Sequence, residues 1–192
     1  MKKILSLIIL IVLIGCGSAS RFGTGVDITF DPRTIGMQID DEIMQKSLKS
    51  RMFLIDAKYA VTIKVEVIDG RIFLSGDVDD PETKIQFTKY AWETKGVRSV
   101  KNLLTIKGDS NFKTTVKDSL ITTQLRTALI FNKKTKARNY TLETINQNVY
   151  IFGIAMNEEE KKEVLDEANK IHDVKEVVPT IYLVSELSRN KI

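Results

Sequence analysis

The sequence predicts an α+β fold built twice: two small domains in tandem, each a three-stranded mixed sheet covered on one face by two helices. Three observations lead there. The chain repeats itself at a spacing of 77 residues, and each repeat passes from a helical apolar period into strand alternation. Composition agrees, since 43% apolar and 28% charged residues with few Gly or Pro exclude disorder, a collagen-like chain and a multi-span membrane protein.

The repeat lays Asp40 to Lys107 on Lys117 to Val184 without a gap. Asp41 meets Asp118, Leu48 meets Leu125, Gly76 meets Gly153 and Ala91 meets Ala168, while Phe87 and Val164 share apolar character only. Two copies are too few for a solenoid, so they make two domains side by side. The organisation expected is residues 1–15 as a signal peptide, 16–37 as a tether, 38–107 and 114–185 as the two domains, 108–113 as a hinge and 186–192 as a tail.

The leader carries Lys2 and Lys3, then an apolar run from Ile4 to Ile14 of 11 residues, too short to span a bilayer, and ends Leu13-Ile14-Gly15-Cys16. Cys16 is the only cysteine, and an unpaired thiol in an exported protein needs a reason. Leu-Ile-Gly-Cys resembles the bacterial lipobox, which implies acylation of Cys16 and cleavage before it. Several acyl chains at about 0.8 kcal/mol per buried CH₂ anchor a protein in effect permanently. Gly17 follows rather than an aspartate, which by the sorting pattern of Gram-negative lipoproteins implies the outer membrane, with the protein facing the periplasm. Removal of the leader leaves 27 positive against 25 negative groups. From Gly17 to Met37 no period is sustained, and about twenty flexible residues reach about 25 Å.

Within each copy the elements follow in order. Asp40 to Ile55 and Thr115 to Phe131 carry apolar residues at helical spacing (Met44, Leu48, Met52, Ile55; Ile121, Leu125, Leu129). Val61, Ile63, Val65 and Val67 alternate with polar residues, Asp69-Gly70 supplies a tight turn, and Arg71 to Val78 returns as a second strand. Pro81-Glu82 opens a second helix with Ile85, Thr88, Ala91 and Trp92 on its inner side, and Val97 to Ile106 is the final strand. Gly76 and Gly153, at the end of the second strand in both copies, point to a positive φ or a close approach of a helix.

Ile121-Thr-Thr-Gln-Leu-Arg-Thr-Ala-Leu129, Val149-Tyr-Ile-Phe-Gly153, Ala168 and Val174-Lys-Glu-Val177 together resemble the BON domain, as do Ile72-Phe-Leu-Ser-Gly76 and Val97-Arg-Ser-Val100 in the first copy. With the lipobox, the whole chain is similar to the dual BON-domain outer-membrane lipoproteins. The second copy departs from the pattern at Asp173, where a glycine is usual, and at Gln147-Asn148, in place of a glycine turn. The resemblance implies an αββαβ unit, binding to phospholipid surfaces, support of envelope integrity and no catalytic activity.

The residues agree about catalysis. His172 is the only histidine, with no second His or Cys to build a metal site or a triad, and reads as a solvated surface residue. Glu158-Glu159-Glu160 suits the positive end of a helix dipole better than acid/base work. No glycine-rich phosphate loop is present, so no catalytic residue, metal or cofactor is expected.

The first helices carry a second apolar stripe: Val116, Leu120, Ile130 and Phe131 in one copy, Ile39, Ile43, Phe53 and Leu54 in the other. A helix in a two-layer domain buries one stripe, so the second meets the sister domain, another chain or lipid. After Phe131 come Lys133, Lys134, Lys136 and Arg138. Ile130, Phe131 and these four cations are the candidate phospholipid-binding residues, because an anionic surface attracts basic groups at about 1 kcal/mol each. The matching positions Asp56, Ala57, Tyr59 and Val61 hold no cation, and Lys58 is the only basic residue nearby. The first copy is therefore expected to turn its outer stripe toward its sister, giving inter-domain packing. Three function classes follow: a lipid-anchored, non-enzymatic module on an anionic phospholipid membrane, a protein adaptor for an outer-membrane assembly machine and, a distant third, an enzyme, for which the sequence supplies no nucleophile or metal. Nucleic acid is not an expected partner, since export leaves little to bind.

Overall fold

A computed structural model describes residues 31–108 and 112–188; the signal peptide, Cys16, the tether up to residue 30, part of the hinge and the last four residues lie outside the described residues. The first domain comprises α1 (Ile35–Ile55), α2 (Ala57–Thr62), β1 (Lys64–Ile68), β2 (Arg71–Val78), α3 (Pro81–Trp92) and β3 (Ser99–Ile106). The second comprises α4 (Phe112–Phe131), a 3₁₀ turn (Ala137–Asn139), β4 (Tyr140–Ile145), β5 (Asn148–Ala155), α5 (Glu158–Lys170) and β6 (Glu176–Leu183), followed by a 3₁₀ turn (Val184–Glu186). Each hairpin is antiparallel and each last strand joins the middle one in parallel, giving two mixed three-stranded sheets, β1-β2-β3 and β4-β5-β6. The α+β class is as the sequence predicts.

Caps decide where the helices begin. Thr34 accepts from the Met37 amide at 3.3 Å, so α1 opens five residues ahead of Asp40, and Met37 is buried beside Ile154 and Leu187. Asp56 accepts from the Lys58 amide at 2.9 Å and starts α2, a helix where the alternation from Val61 suggests a strand. Val61 is consequently 86% exposed, and the buried alternation begins at Ile63. Asp80 and Asn157 cap α3 and α5 through the amides of Thr83 and Glu160. The inner face of α3 also differs from expectation: Thr83, Phe87 and Ala91 are buried, whereas Ile85 and Trp92 are exposed. Phe87 sets that rotation by packing edge-on to Tyr59, with ring centroids 5.1 Å apart.

The residues shared by the copies hold the backbone. Asp69 and Gly70 both have left-handed φ (50° and 73°), as do Asn146 and Gln147 (54° and 68°), and successive left-handed residues aim their amides at one point. Asp41 receives the amides of Asp69 and Gly70 at 2.8 and 2.9 Å, and Asp118 receives those of Asn146 and Gln147 at 2.8 and 2.7 Å. The turn of the second copy thus keeps its geometry without glycine, one residue earlier than Gln147-Asn148, and Asp173 (φ 70°) likewise takes the conformation of Gly96 (φ 88°). Gly76 has φ +123°, and a Cβ there would lie 2.6 Å from the Thr62 carbonyl oxygen. Gly153 lacks the positive φ, yet a Cβ would overlap the Asn139 carbonyl oxygen and sit 2.6 Å from Tyr140 Cδ1. In both copies the chain entering the first strand approaches the glycine too closely for a side chain.

Each sheet buries one face under its own helices: Ile72 and Leu74 beneath Leu48, Met52 and Phe87; Val149 and Ile151 beneath Leu125, Leu129 and Val164. The opposite faces meet each other. Phe73 stacks on Phe152 at 5.1 Å and 16°, Arg71 lies 4.1 Å over the Tyr182 ring, and Ser75 donates to Glu143 at 3.0 Å. The result is four layers, helix, sheet, sheet, helix. Inter-domain packing is thus present, but it runs through the sheets and leaves Ile39, Ile43, Phe53 and Leu54 exposed, contrary to the expected use of the first copy's outer stripe. A strand such as Ile72-Phe73-Leu74-Ser75, buried at four successive residues, already has apolar side chains for both faces.

The two middle strands run in opposite directions across this interface. Arg71, at the start of β2, lies over Tyr182, whose strand partner Ile154 is near the end of β5; Ser75 meets Glu143, whose partner Tyr150 is near its start. At the outer edges, the Asn102 side chain accepts the Leu104 amide of β3 at 2.8 Å, and the matching residue of β6 is Pro179.

Candidate functional site

The C-terminal end of α4 projects Ile130 and Phe131, the latter 80% exposed. The loop that follows is held rigidly from within. Thr135 donates to the Leu129 carbonyl at 2.6 Å, Asn132 accepts the Lys134 amide at 2.9 Å, and the buried Glu160 accepts the amides of Lys136 and Met156, each at 2.8 Å. From beneath, Arg126 donates to the carbonyls of Ala137 and Tyr140 at 2.9 and 2.8 Å; its burial pulls the guanidinium pKa down. With the backbone satisfied inward, the side chains of Lys133, Lys136 and Arg138 lie on the surface.

The four expected cations are not equivalent. Lys134 pairs with Glu163 at 2.9 Å and Glu159 at 3.3 Å. These bonds push its ammonium pKa up and hold Glu163 below the usual carboxylate range, so its charge is compensated within the domain. Lys133 and Lys136 have no ion-pair partner among the described residues.

The first copy ends its helix differently. Phe53, Leu54 and Val61 are exposed, but Lys58 is taken by Asp79 at 2.5 Å and Asp56 at 3.0 Å. Asp79 also accepts from Lys107 at 2.8 Å and from the Tyr59 hydroxyl at 2.6 Å, and these bonds hold its carboxyl far below the usual range. That end is apolar and electrically closed.

His172 is 91% exposed, with Nδ1 3.2 Å from Asp173. Among the described residues no group of three or more His, Cys, Asp or Glu has the arrangement to hold a metal, and no helix is long and apolar enough to cross a membrane. Sequence reasoning missed two surface residues, Trp92 and its neighbour Lys95, both exposed at the end of α3. The repeat held the signal: matching Phe87 and Ala91 with Val164 and Ala168 fixes the buried face and leaves Trp92 outside it.

Residues 40–108 and 117–182 each match the BON domain. The chain is 31% identical over 172 residues to the outer membrane lipoprotein DolP of Haemophilus influenzae, covering 88% of both chains. It is 27% identical over 146 residues to an uncharacterized protein of Anaplasma centrale (76% of this chain, 95% of that one). It is 23% identical over 156 residues to a 21 kDa hemolysin of Actinobacillus pleuropneumoniae (80% and 79%).

Proposed function

Because the chain belongs to the family of dual BON-domain outer-membrane lipoproteins, we propose that it is a non-enzymatic lipoprotein that binds anionic phospholipid and supports envelope integrity. Its anchor is an acylated Cys16 in the outer membrane, with the domains on the periplasmic side. The observation that carries the lipid reading is the hydrogen-bonded loop after α4, which holds two lysines with no ion-pair partner among the described residues beside the protruding Phe131. Apolar side chains that enter the headgroup layer and cations that stay at its surface are the two ingredients of interfacial binding. Lys133, Lys136 and Arg138 do this work with Ile130 and Phe131, while Lys134 chiefly ties the loop to α5.

Flotation with phosphatidylglycerol vesicles tests this. Lys133→Glu with Lys136→Glu abolishes flotation without altering the melt, Lys58→Glu does little, and rising salt weakens the parent. Undiminished flotation of the double variant at low salt overturns the site. The adaptor reading, with an envelope assembly machine as partner, draws support from one observation: Phe53 and Leu54 near the end of α1 and Val61 in α2 are exposed, while Lys58 between them is paired with Asp79 and Asp56. Capture of an envelope protein lost on Leu54→Ser, together with no lipid preference, favours it.

A further inference from the structure

Trp92 is the chain's only tryptophan and stands 54% exposed at the last residue of α3, outside the first domain's core. Tryptophan with one apolar and one hydrogen-bonding edge suits a membrane–water interface. The strand directions across the inter-domain contact decide what lies around it. The loop after Trp92 adjoins the first domain's hairpin turn, where the Arg98 amide donates to the Gly70 carbonyl at 2.8 Å. Asp69 of that turn accepts the amide of Ser188, just beyond β6, at 3.1 Å. Met37, near the start of α1, packs on Ile154 and Leu187. The turn end of the first domain therefore abuts the end of β5, and that is where the loop after α4 leads, since Tyr140 pairs with Gly153.

Three things consequently share one end of the domain pair: Trp92 with Lys95, the surface formed by Phe131 with Lys133 and Lys136, and the point where the chain comes in from Cys16. Arg33 marks that point, donating to the Val67 carbonyl beside the same turn at 3.1 Å. Phe53 and Leu54 lie at the other end, because α1 leads into β1, whose Lys64 pairs with Ser75 at the far end of β2.

We infer that this end as a whole faces lipid: Trp92 and Lys95 of the first domain contact the same anionic membrane surface as Phe131, Lys133 and Lys136 of the second, and that surface belongs to the membrane holding the anchor. The inference rests on the lipid-binding reading and extends it to the first domain. Charge sets the apolar residues of the two ends apart: Lys95, Lys133 and Lys136, which lie near Trp92 and Phe131 in the chain, have no ion-pair partner among the described residues, whereas Lys58, which follows Phe53 and Leu54, is paired with Asp79 and Asp56. A lipid anchor joined to the chain that enters beside Arg33 keeps the local lipid concentration high, so individually weak contacts suffice.

The lone tryptophan makes the test direct. The lipidated full chain is reconstituted in phosphatidylglycerol/phosphatidylethanolamine vesicles with and without brominated phosphatidylglycerol, and tryptophan emission is read. Trp92 is expected to emit at shorter wavelength than in detergent-free zwitterionic vesicles and to be quenched by the brominated lipid. In a Trp92→Phe background, Phe131→Trp is expected to be quenched and Phe53→Trp to remain bright. Quenching at Phe131→Trp with none at Trp92 overturns the inference and leaves the lipid site of the second domain standing. Quenching at Phe53→Trp equal to that at Trp92 overturns the assignment of the facing end. No quenching at either Trp92 or Phe131→Trp removes the lipid-binding reading itself.

Discussion

The two domains share a backbone and differ in how their first helices end. In the first, a lysine after the helix is closed off by two aspartates; in the second, a connection of the same length with no acid before Glu143 leaves Lys133 and Lys136 without an ion-pair partner among the described residues. What the copies retain at matched positions is what the fold requires: a carboxylate for the hairpin turn and a glycine where the chain passes closely. What they changed lies on the surface, so the difference between copies separates structural residues from candidates for recognition without recourse to any other sequence.

The sharpest way to break that separation is at the glycines. Gly76→Val and Gly153→Val should each destabilise the protein by about 1–3 kcal/mol, because the neighbouring chain must shift in both cases and Gly76 also leaves a left-handed φ. Thermal melts matching the parent for both would make them ordinary strand residues.

A smaller effect is expected from the turn carboxylates. Asp41→Asn and Asp118→Asn each replace an acceptor of two amides by a group with one suitable oxygen, and Asp41 is buried and pairs with Arg33 at 2.7 Å. Urea melts should therefore show a loss of about 1–3 kcal/mol at Asp41 and less at Asp118. Equal losses would mean that burial and Arg33 add nothing to the turn.

Acid should separate the domains more weakly still. Burial raises the Asp69 pKa, but hydrogen bonds from Ser188 and Arg71 and the charge of Arg98 outweigh it, leaving the carboxyl below its ordinary value. Bonds from Lys107, Lys58 and Tyr59 depress Asp79 in the same direction. A carboxyl depressed in the folded state contributes stability that is complete above its unfolded pKa and is lost as pH falls through the folded one. Amide exchange in the first domain should accordingly accelerate ahead of that in the second as pH drops below about 4. Asp69→Asn should reduce that difference, and an unchanged difference would assign it to other groups.

Much of this was legible in the sequence because the duplication supplied a second reading of every element. The order of the two long helices and three strands of each copy, the hairpins and the shared glycines could be read from periodicity and register, whereas α2 could not, because the alternation from Val61 reads as strand and the Asp56 cap starts a helix. The rotation of α3 could not be read from one copy, since Ile85, Thr88 and Trp92 form as good an apolar stripe as Thr83, Phe87 and Ala91 until Phe87 meets Tyr59. The sheet-to-sheet contact was hidden for a similar reason: alternation identifies one buried face, while Phe73 and Phe152 reveal the second only when brought together. At the candidate lipid site the cations were visible, but the capture of Lys134 depends on Glu159 and Glu163 of α5, a tertiary contact that local sequence does not encode.

The outer edges of the two sheets bear on life at a surface. Proteins confined to two dimensions collide in few orientations and at high local density, conditions under which an open strand edge templates another. The Asn102 side chain that occupies the Leu104 amide and the proline at position 179 each remove a donor from such an edge. By different chemistry, β3 and β6 thereby each offer a neighbouring strand one donor fewer, which disfavours pairing along those two edges in a crowded population.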